Sequence, residues 1–442
     1  MRIRVAILLC AAVAFCCPPA QPGGRNSADK ALIEAVRAGK IPAGADRALV
    51  AAIRRVEQLR GQWEFDADGN LLGVDLAGGR LAVTDVDVRT LAALPPLKRL
   101  RLSGAAITNA SAALIGKMTS LVELSIQDSQ IDNHGLAQIA RLQNLASLSL
   151  RRAVNLTDDG LEHLLGLRKL TALALVDNSL TDAGVARLRS LVGLRMLDLR
   201  GCAGVGPAGL KQLHGLKNLT SLKLGSDLMT DAGLQVLRGF PQLTSLTLEN
   251  SPVSGAGLAV LEGLPLEELS LFRCFRIDDA ALAGLKSFPK LRQLALRDMP
   301  ISGSGLIYLR DKSALVWLRL SETAVDDQAL EHLAGLRGLR RLELRQTRVT
   351  DAGMKRLAGL SNLEYLDLED TLISDAGVAQ LVPLVKLEVL HLRLASGVTD
   401  ASVEQLARLR GLRLVSVGQT GISEEGLRRL RASLPACRIL TH

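Results

Sequence analysis

The 442-residue sequence predicts an α/β solenoid, with parallel strands on the concave face and short helices on the convex face. One phrase recurs from residue 71 onward: L-x-x-L-x-L, a short polar or small segment, an apolar residue, Thr/Ser/Asp, Asp, a small residue, Gly, then L-x-x-L-x-x-L. Its opening leucines are Leu71, Leu97, Leu121, Leu145, Leu170, Leu194, Leu219, Leu243, Leu266, Leu291, Leu315, Leu339, Leu363, Leu387 and Leu412. After a first interval of 26 the steps are 23 to 25. Composition agrees. Leucine is about a fifth of the chain, hydrophobic residues make up 48 %, and Trp, Tyr and Phe number only 2, 2 and 6, so the core must be aliphatic. With 40 Gly, 14 Pro and 22 % charged residues spread throughout, disorder, a collagen helix and a disulfide-built miniprotein are excluded. Length alone would suggest about three globular units, but a fixed period makes one elongated unit instead.

The first residues read as an export signal over 1–17: Arg2 and Arg4 precede the apolar run 5–15, and Pro18, Pro19 and Pro22 follow it. That run is too short to span a bilayer as a helix, so no transmembrane span is expected. The stretch Val13-Ala14-Phe15-Cys16 resembles the bacterial lipoprotein signal, with Phe15 where that signal has a small residue, and the resemblance implies a lipid anchor at Cys16 or Cys17. The expected location is therefore outside the cytoplasm: periplasmic, cell-surface or secreted. Residues 18–26 read as a disordered linker. Residues 27–62 read as a helical N-terminal cap, with helices over 28–38 and 45–59 split by Gly39, Pro42 and Gly44. The apolar faces Leu32, Ile33, Val36 and Leu49, Ile53, Val56 suit a cover for the open end of the solenoid. Residues 63–442 form the solenoid of about fifteen repeats, opening on a hairpin of Trp63-Glu64-Phe65, the turn 66–70 and the strand 71–76.

Each phrase has a physical reason. In Leu339-Arg340-Arg341-Leu342-Glu343-Leu344, a period of two puts Leu342 and Leu344 inward and Arg341, Glu343 and Arg345 outward. Thr350 then caps the first free amides of a helix, while Asp351 favours the positive end of its dipole. That capping place is Thr, Ser or Asp in fourteen repeats; the exception, Gly206, precedes Pro207 at the first helical position. Met354, Leu357 and Leu360 recur at helical spacing and pack back on the strand.

These phrases resemble the leucine-rich-repeat family over residues 71 to 442. Leu-Thr-Asp-Ala-Gly-Val (180–185) and Val-Thr-Asp-Ala-Gly-Met (349–354) look like its cysteine-containing subtype, found in F-box substrate receptors and in large bacterial repeat proteins. The place three residues beyond the last strand leucine, which in the family holds Asn or Cys bonded to loop backbone, is Ser129, Asn178, Cys202, Ser251, Cys274, Thr323, Thr347, Thr371 and Thr420. The resemblance implies protein binding on the concave sheet.

Little in the sequence points to chemistry. Glu64, Asp66, Asp68, Gly69, Leu71 and Asp75 fall at places of a calcium-loop pattern, but the segment reads as a hairpin turn. Cys202 and Cys274 stand three repeats apart, about 14 Å at strand spacing, beyond disulfide reach. No histidines have metal-ligand spacing, and no nucleophile with a base or cofactor fingerprint is present, so neither an enzyme nor a cofactor is expected. The concave row is more informative. Its first half is mostly small: Ser147, Ser149, Ala172, Ala174, Ser221, Ser245 and Thr247. It then changes to Phe272, Arg297, Trp317, Arg319, Arg341, Glu343, Arg345, Tyr365, Asp367, Glu369, His391 and Arg393. Two of the four Trp and Tyr of the chain stand in this second row, and Trp, Tyr and Arg dominate binding hot spots. The expected function is a non-catalytic scaffold that holds a protein or extended polymer there, with no specific nucleic acid binding. Two alternatives stay open: a cytosolic substrate receptor of a ubiquitin-ligase complex, and a polyanion binder through the Arg-rich strip, for which the net charge of +9 is favourable but diffuse.

Overall fold

The structure, a computed structural model, describes residues 28–79 and 81–441, so the expected export signal, lipid anchor and linker lie outside the described residues. Strands Gln62–Phe65 and Leu71–Asp75 form an antiparallel hairpin. Its turn is closed by the Asp66 carboxylate, which accepts from the Asn70 amide at 2.8 Å, and by Gly69 in the left-handed region at φ 79°. Every later strand then adds in chain order, parallel and in register, ending at Arg438–Leu440. The result is an open seventeen-stranded sheet. Leu269, for instance, sits opposite Leu246 on one side and Leu294 on the other. The inward leucines make one continuous core, in which Leu342, Leu344, Met354, Leu357 and Leu360 are fully buried. Each repeat returns along the convex side as a short α-helix or a 3-10 turn, such as Asp351–Leu357 or Ala329–Leu333. Among the described residues no helix is long and apolar enough to cross a membrane.

The Thr/Ser-Asp-small-Gly phrase does more than cap one helix. The Asp351 carboxylate accepts from the amide and the hydroxyl of Ser374, the capping residue of the next repeat, at 2.7 and 2.5 Å. The same pair of bonds joins Asp327 to Thr350, Asp375 to Thr399 and Asp400 to Ser423. A ladder of carboxylates thus ties neighbouring repeats together at the helix starts. It also explains the glycine of the phrase: a Cβ on Gly353 would stand 2.4 Å from the Asp327 carboxylate, and one on Gly377 2.3 Å from Asp351. At two of the places where that glycine is replaced, Ser111 and Ser402, the new hydroxyl donates to the same carboxylate, Asp85 or Asp375.

Two further features were silent in the sequence. The residue just past the last outward strand place turns left-handed in most repeats even when it is not glycine, as at Asn250, Glu322, Gln346 and Asp370, with φ between 49° and 61°. Such a residue costs roughly 1 kcal/mol of backbone strain. The next repeat holds it there: the Gln346 amide donates to the Glu369 carbonyl at 2.9 Å, and that of Asp370 to Arg393 at 2.9 Å. Lys312 occupies a place that is leucine in most repeats and is buried, its ammonium donating to the Phe288 carbonyl at 2.9 Å. Burial lowers its pKa, opposed by the charge of Asp311.

At the N-terminal end, helices Ala28–Arg37 and Arg47–Gln58 cover the hairpin, with Ile53 and Val56 buried and Asp46 capping the second helix through the Ala48 amide at 2.8 Å. Arg55 bonds Asp87 of the first convex helix at 2.6 Å and locks the cover to the repeats. Cys202 and Cys274 are buried free thiols whose sulfurs lie 2.9 and 3.5 Å from the Leu175 and Leu248 carbonyls. Burial pushes both thiols up to about 11.

Candidate binding surface

Because the sheet is in register, residues 24 or 25 apart in sequence stand side by side on the concave face. Trp317, Arg341, Tyr365 and Val389 form one row; Arg319, Glu343, Asp367 and His391 form the next. Cross-strand neighbours in these rows decide the geometry.

Glu343 is the centre. Although its strand place faces outward, it is only 4 % exposed, because its neighbours fold over it. The Trp317 indole N–H donates to its Oε1 at 2.9 Å, the Arg341 Nε donates to the same oxygen at 2.6 Å, and the Arg319 Nε donates to Oε2. Burial pushes the Glu343 carboxyl up, but the hydrogen bonds and charges of Arg319 and Arg341 outweigh it and hold the group below the ordinary carboxylate range. The expectation that every outward strand place is exposed is corrected here, and the reason is the cross-strand pairing itself. Asp198, which pairs with Arg200 at 2.8 Å, is buried at an outward place in the same way.

Aromatic rings and guanidinium groups then interleave above this carboxylate. Arg341 lies 5.2 Å from the Trp317 ring centre and 4.0 Å from that of Tyr365, while Arg319 lies 5.3 Å from Trp317. Tyr365 leans on His391, with ring centres 5.4 Å apart. Burial, with the charge of Asp367, pushes the Tyr365 hydroxyl up to about 12. Asp367 itself is raised by burial and by the charges of Glu343 and Glu369, against the Glu369 amide bond and His391.

The remaining site residues fall into two flanking groups. Arg393 bonds Glu369 at 2.6 Å, and Arg345 lies 3.6 Å from the same carboxylate. On the other flank Arg297 bonds Glu322 at 2.9 Å, and both Arg297 and Arg273 stack on Phe272 at 4.8 Å. Phe272 and Arg297 are separated from the central cluster by the small, buried Ala295 and Ser321. Arg273 and Glu322 were missed by sequence reasoning because they sit at the left-handed place just past the strand, which bends them back toward the row.

A family model for the leucine-rich repeat matches residues 166–188, the length of one repeat. No curated protein matches the chain. Among solved structures, the yeast Rad7–Elc1 complex is similar at a TM-score of 0.50, with 18 % identity over 81 % of this chain and 84 % of that one. An internalin of Listeria monocytogenes is similar at a TM-score of 0.44 and 19 % identity, covering 89 % and 94 % of the two chains. A leucine-rich-repeat protein of Leptospira interrogans is similar at 0.39 and 17 %, covering 74 % and 91 %. These likenesses are of fold. The likeness to the Rad7–Elc1 structure, together with the matched repeat and fifteen repeat starts in one register, gives the chain the leucine-rich-repeat fold.

Proposed function

We propose that this protein is a non-catalytic, exported binding scaffold that holds a protein partner on the concave sheet through the row from Phe272 to Arg393. The observation that carries the reading is the shared carboxylate of Glu343. Three side chains on two strands donate to it, so Trp317, Arg319 and Arg341 are held in place before any partner arrives. Preorganised aromatic and arginine side chains lose little entropy on binding and make the strongest anchors. The strip sets Arg297, Arg319, Arg341, Arg345 and Arg393 against Glu322, Glu343, Asp367 and Glu369, so its charge is close to balanced. A surface of alternating sign with aromatic faces suits a polypeptide better than a polyanion.

The test is affinity by surface plasmon resonance for the partner that an unbiased pull-down recovers. Trp317→Ala should cost roughly 2 kcal/mol, about thirtyfold in affinity, and Ser149→Glu in the small-residue half should have little effect. Parental affinity for Trp317→Ala together with lost binding for Ser149→Glu would move the site to the other half.

A further inference from the structure

The solenoid has two flanks as well as two faces. On one, strands end and helices begin; on the other, helices end and the next strand begins. The helix-to-strand turns of the first repeats, residues 92–99, 115–122, 139–146, 164–171, 189–196 and 214–221, contain no carboxylate. They carry instead Lys98, Lys117, Arg141, Arg168, Lys169 and Lys217, all exposed. Lys169 bonds the amide oxygen of Asn144. The opposite turns of the same repeats hold Asp128, Asp132, Asp158, Asp159, Asp177 and Asp182, of which Asp128, Asp159 and Asp177 pair with Arg152, Arg187 and Arg151. The helix-to-strand flank of this half therefore carries cations without carboxylates, and the opposite flank carries both.

The C-terminal half is different. The same turns there mix carboxylates with their cations: Glu262, Glu267, Glu364 and Glu388 stand among Lys286, Lys290, Arg337 and Lys386, and Arg340 bonds Glu364 at 2.5 Å while Arg413 lies 3.6 Å from Glu388. Exposed aliphatic side chains accompany these cations: Leu165, 38 % exposed, lies in the turn of Arg168 and Lys169, and Val192, 61 % exposed, lies in the next one. At strand spacing the six repeats span about 25 Å, and successive cations stand closer than a Debye length, so their potentials add.

We propose that this basic flank, from Lys98 to Lys217, docks on an anionic lipid surface. The turns follow one edge of the sheet and present their cations together, as a charged plane requires. The exposed valine and leucine among them suit an interface that is apolar beneath its headgroups, whereas a linear polyanion offers them nothing to enter. Docking by the flank points the opposite flank away and leaves the concave sheet open, so this inference does not rest on the partner reading above.

The test is co-sedimentation of the full chain with vesicles of phosphatidylcholine and phosphatidylglycerol, in a ratio of about 7 to 3, against phosphatidylcholine alone, at low and raised salt. The triple variant Arg141→Glu, Arg168→Glu, Lys217→Glu should weaken partition at least about tenfold on anionic vesicles, since each cation adds its own attraction. A charge-matched control, Arg428→Glu, Arg429→Glu, Arg431→Glu in the C-terminal helix, should bind within about twofold of the parent, as those residues lie off the flank. Circular dichroism checks that both variants keep the parental fold. Parent protein that ignores anionic vesicles, equal losses in the two triple variants, or an undiminished flank variant would each overturn the proposal. So would single-stranded RNA displacing the vesicles through the same residues.

Discussion

The two halves of the concave sheet share one core and carry opposite surfaces. Beneath them Leu148 and Leu342 are equally buried, paired in the same register, and tied to their neighbours by the same kinds of backbone bond. Above them two neighbouring strands of the first half present Ser147, Ser149, Ala172 and Ala174, short side chains that leave the sheet there nearly bare between the ion pairs of Arg101 with Asp75 and of Arg200 with Asp198. The second half presents long side chains that bond one another more than they bond solvent, with Glu343 drawn below its own neighbours. A leucine scaffold constrains only its inward places, so the outward places are free to differ.

If the core is the shared part, Leu148→Asp and Leu342→Asp should be equally damaging. Each puts an unpaired charge among leucines and should cost at least about 4 kcal/mol, read from denaturant midpoints. A much smaller loss for either one would break the equivalence.

The surfaces should respond unequally. Glu343→Gln removes the charge that Arg319 and Arg341 face, and those guanidinium groups are each about a third exposed, so solvent relieves part of the penalty. A loss of about 2 kcal/mol is expected, against less than about 0.5 kcal/mol for Ser149→Ala. Similar small losses for both would mean that the Glu343 cluster is surface cover.

Acid sharpens the same contrast. Glu343 has a folded pKa below its ordinary value, so its stabilisation is complete above the unfolded value of about 4.3 and fades as pH falls through the lower folded one. The gap in melting temperature between parent and Glu343→Gln should therefore narrow below about pH 4, while the gap for Ser149→Ala stays flat. Asp85, Asp279 and Asp375 of the inter-repeat ladder are also depressed, because hydrogen bonds to the ionised form outweigh the upward push of burial, so the parent should lose stability over the same range. Asp367, raised by burial and by Glu343 and Glu369, acts in the opposite direction. A gap that holds constant to pH 3 would show that the Glu343 charge is not what stabilises the cluster.

Much of the fold was legible because the leucine phrase is a local signal that starts fifteen times at a nearly fixed interval. The capping threonine was legible for the same reason. Asp351 was read only as a partner of its own helix dipole, since nothing local reveals that its carboxylate bonds Ser374, 23 residues on. The glycine of the phrase depends on that same unseen contact. Lys312 was hidden because a lysine reads as surface, and only the neighbouring turn, which brings the Phe288 carbonyl within reach, gives it a buried role. The outward row was legible residue by residue, but the burial of Glu343 was not, because it arises from Trp317 and Arg319 one strand away, 26 and 24 residues back.

The claim that the C-terminal row is the recognition surface is tested most directly by hydrogen–deuterium exchange of the protein with and without its recovered partner. Protection should gather in the strands Trp317–Arg319, Arg341–Glu343 and Tyr365–Asp367. Protection confined instead to Ser147–Arg151, Ala172–Ala174 and Ser221–Gly225, with the C-terminal strands unchanged, would contradict it.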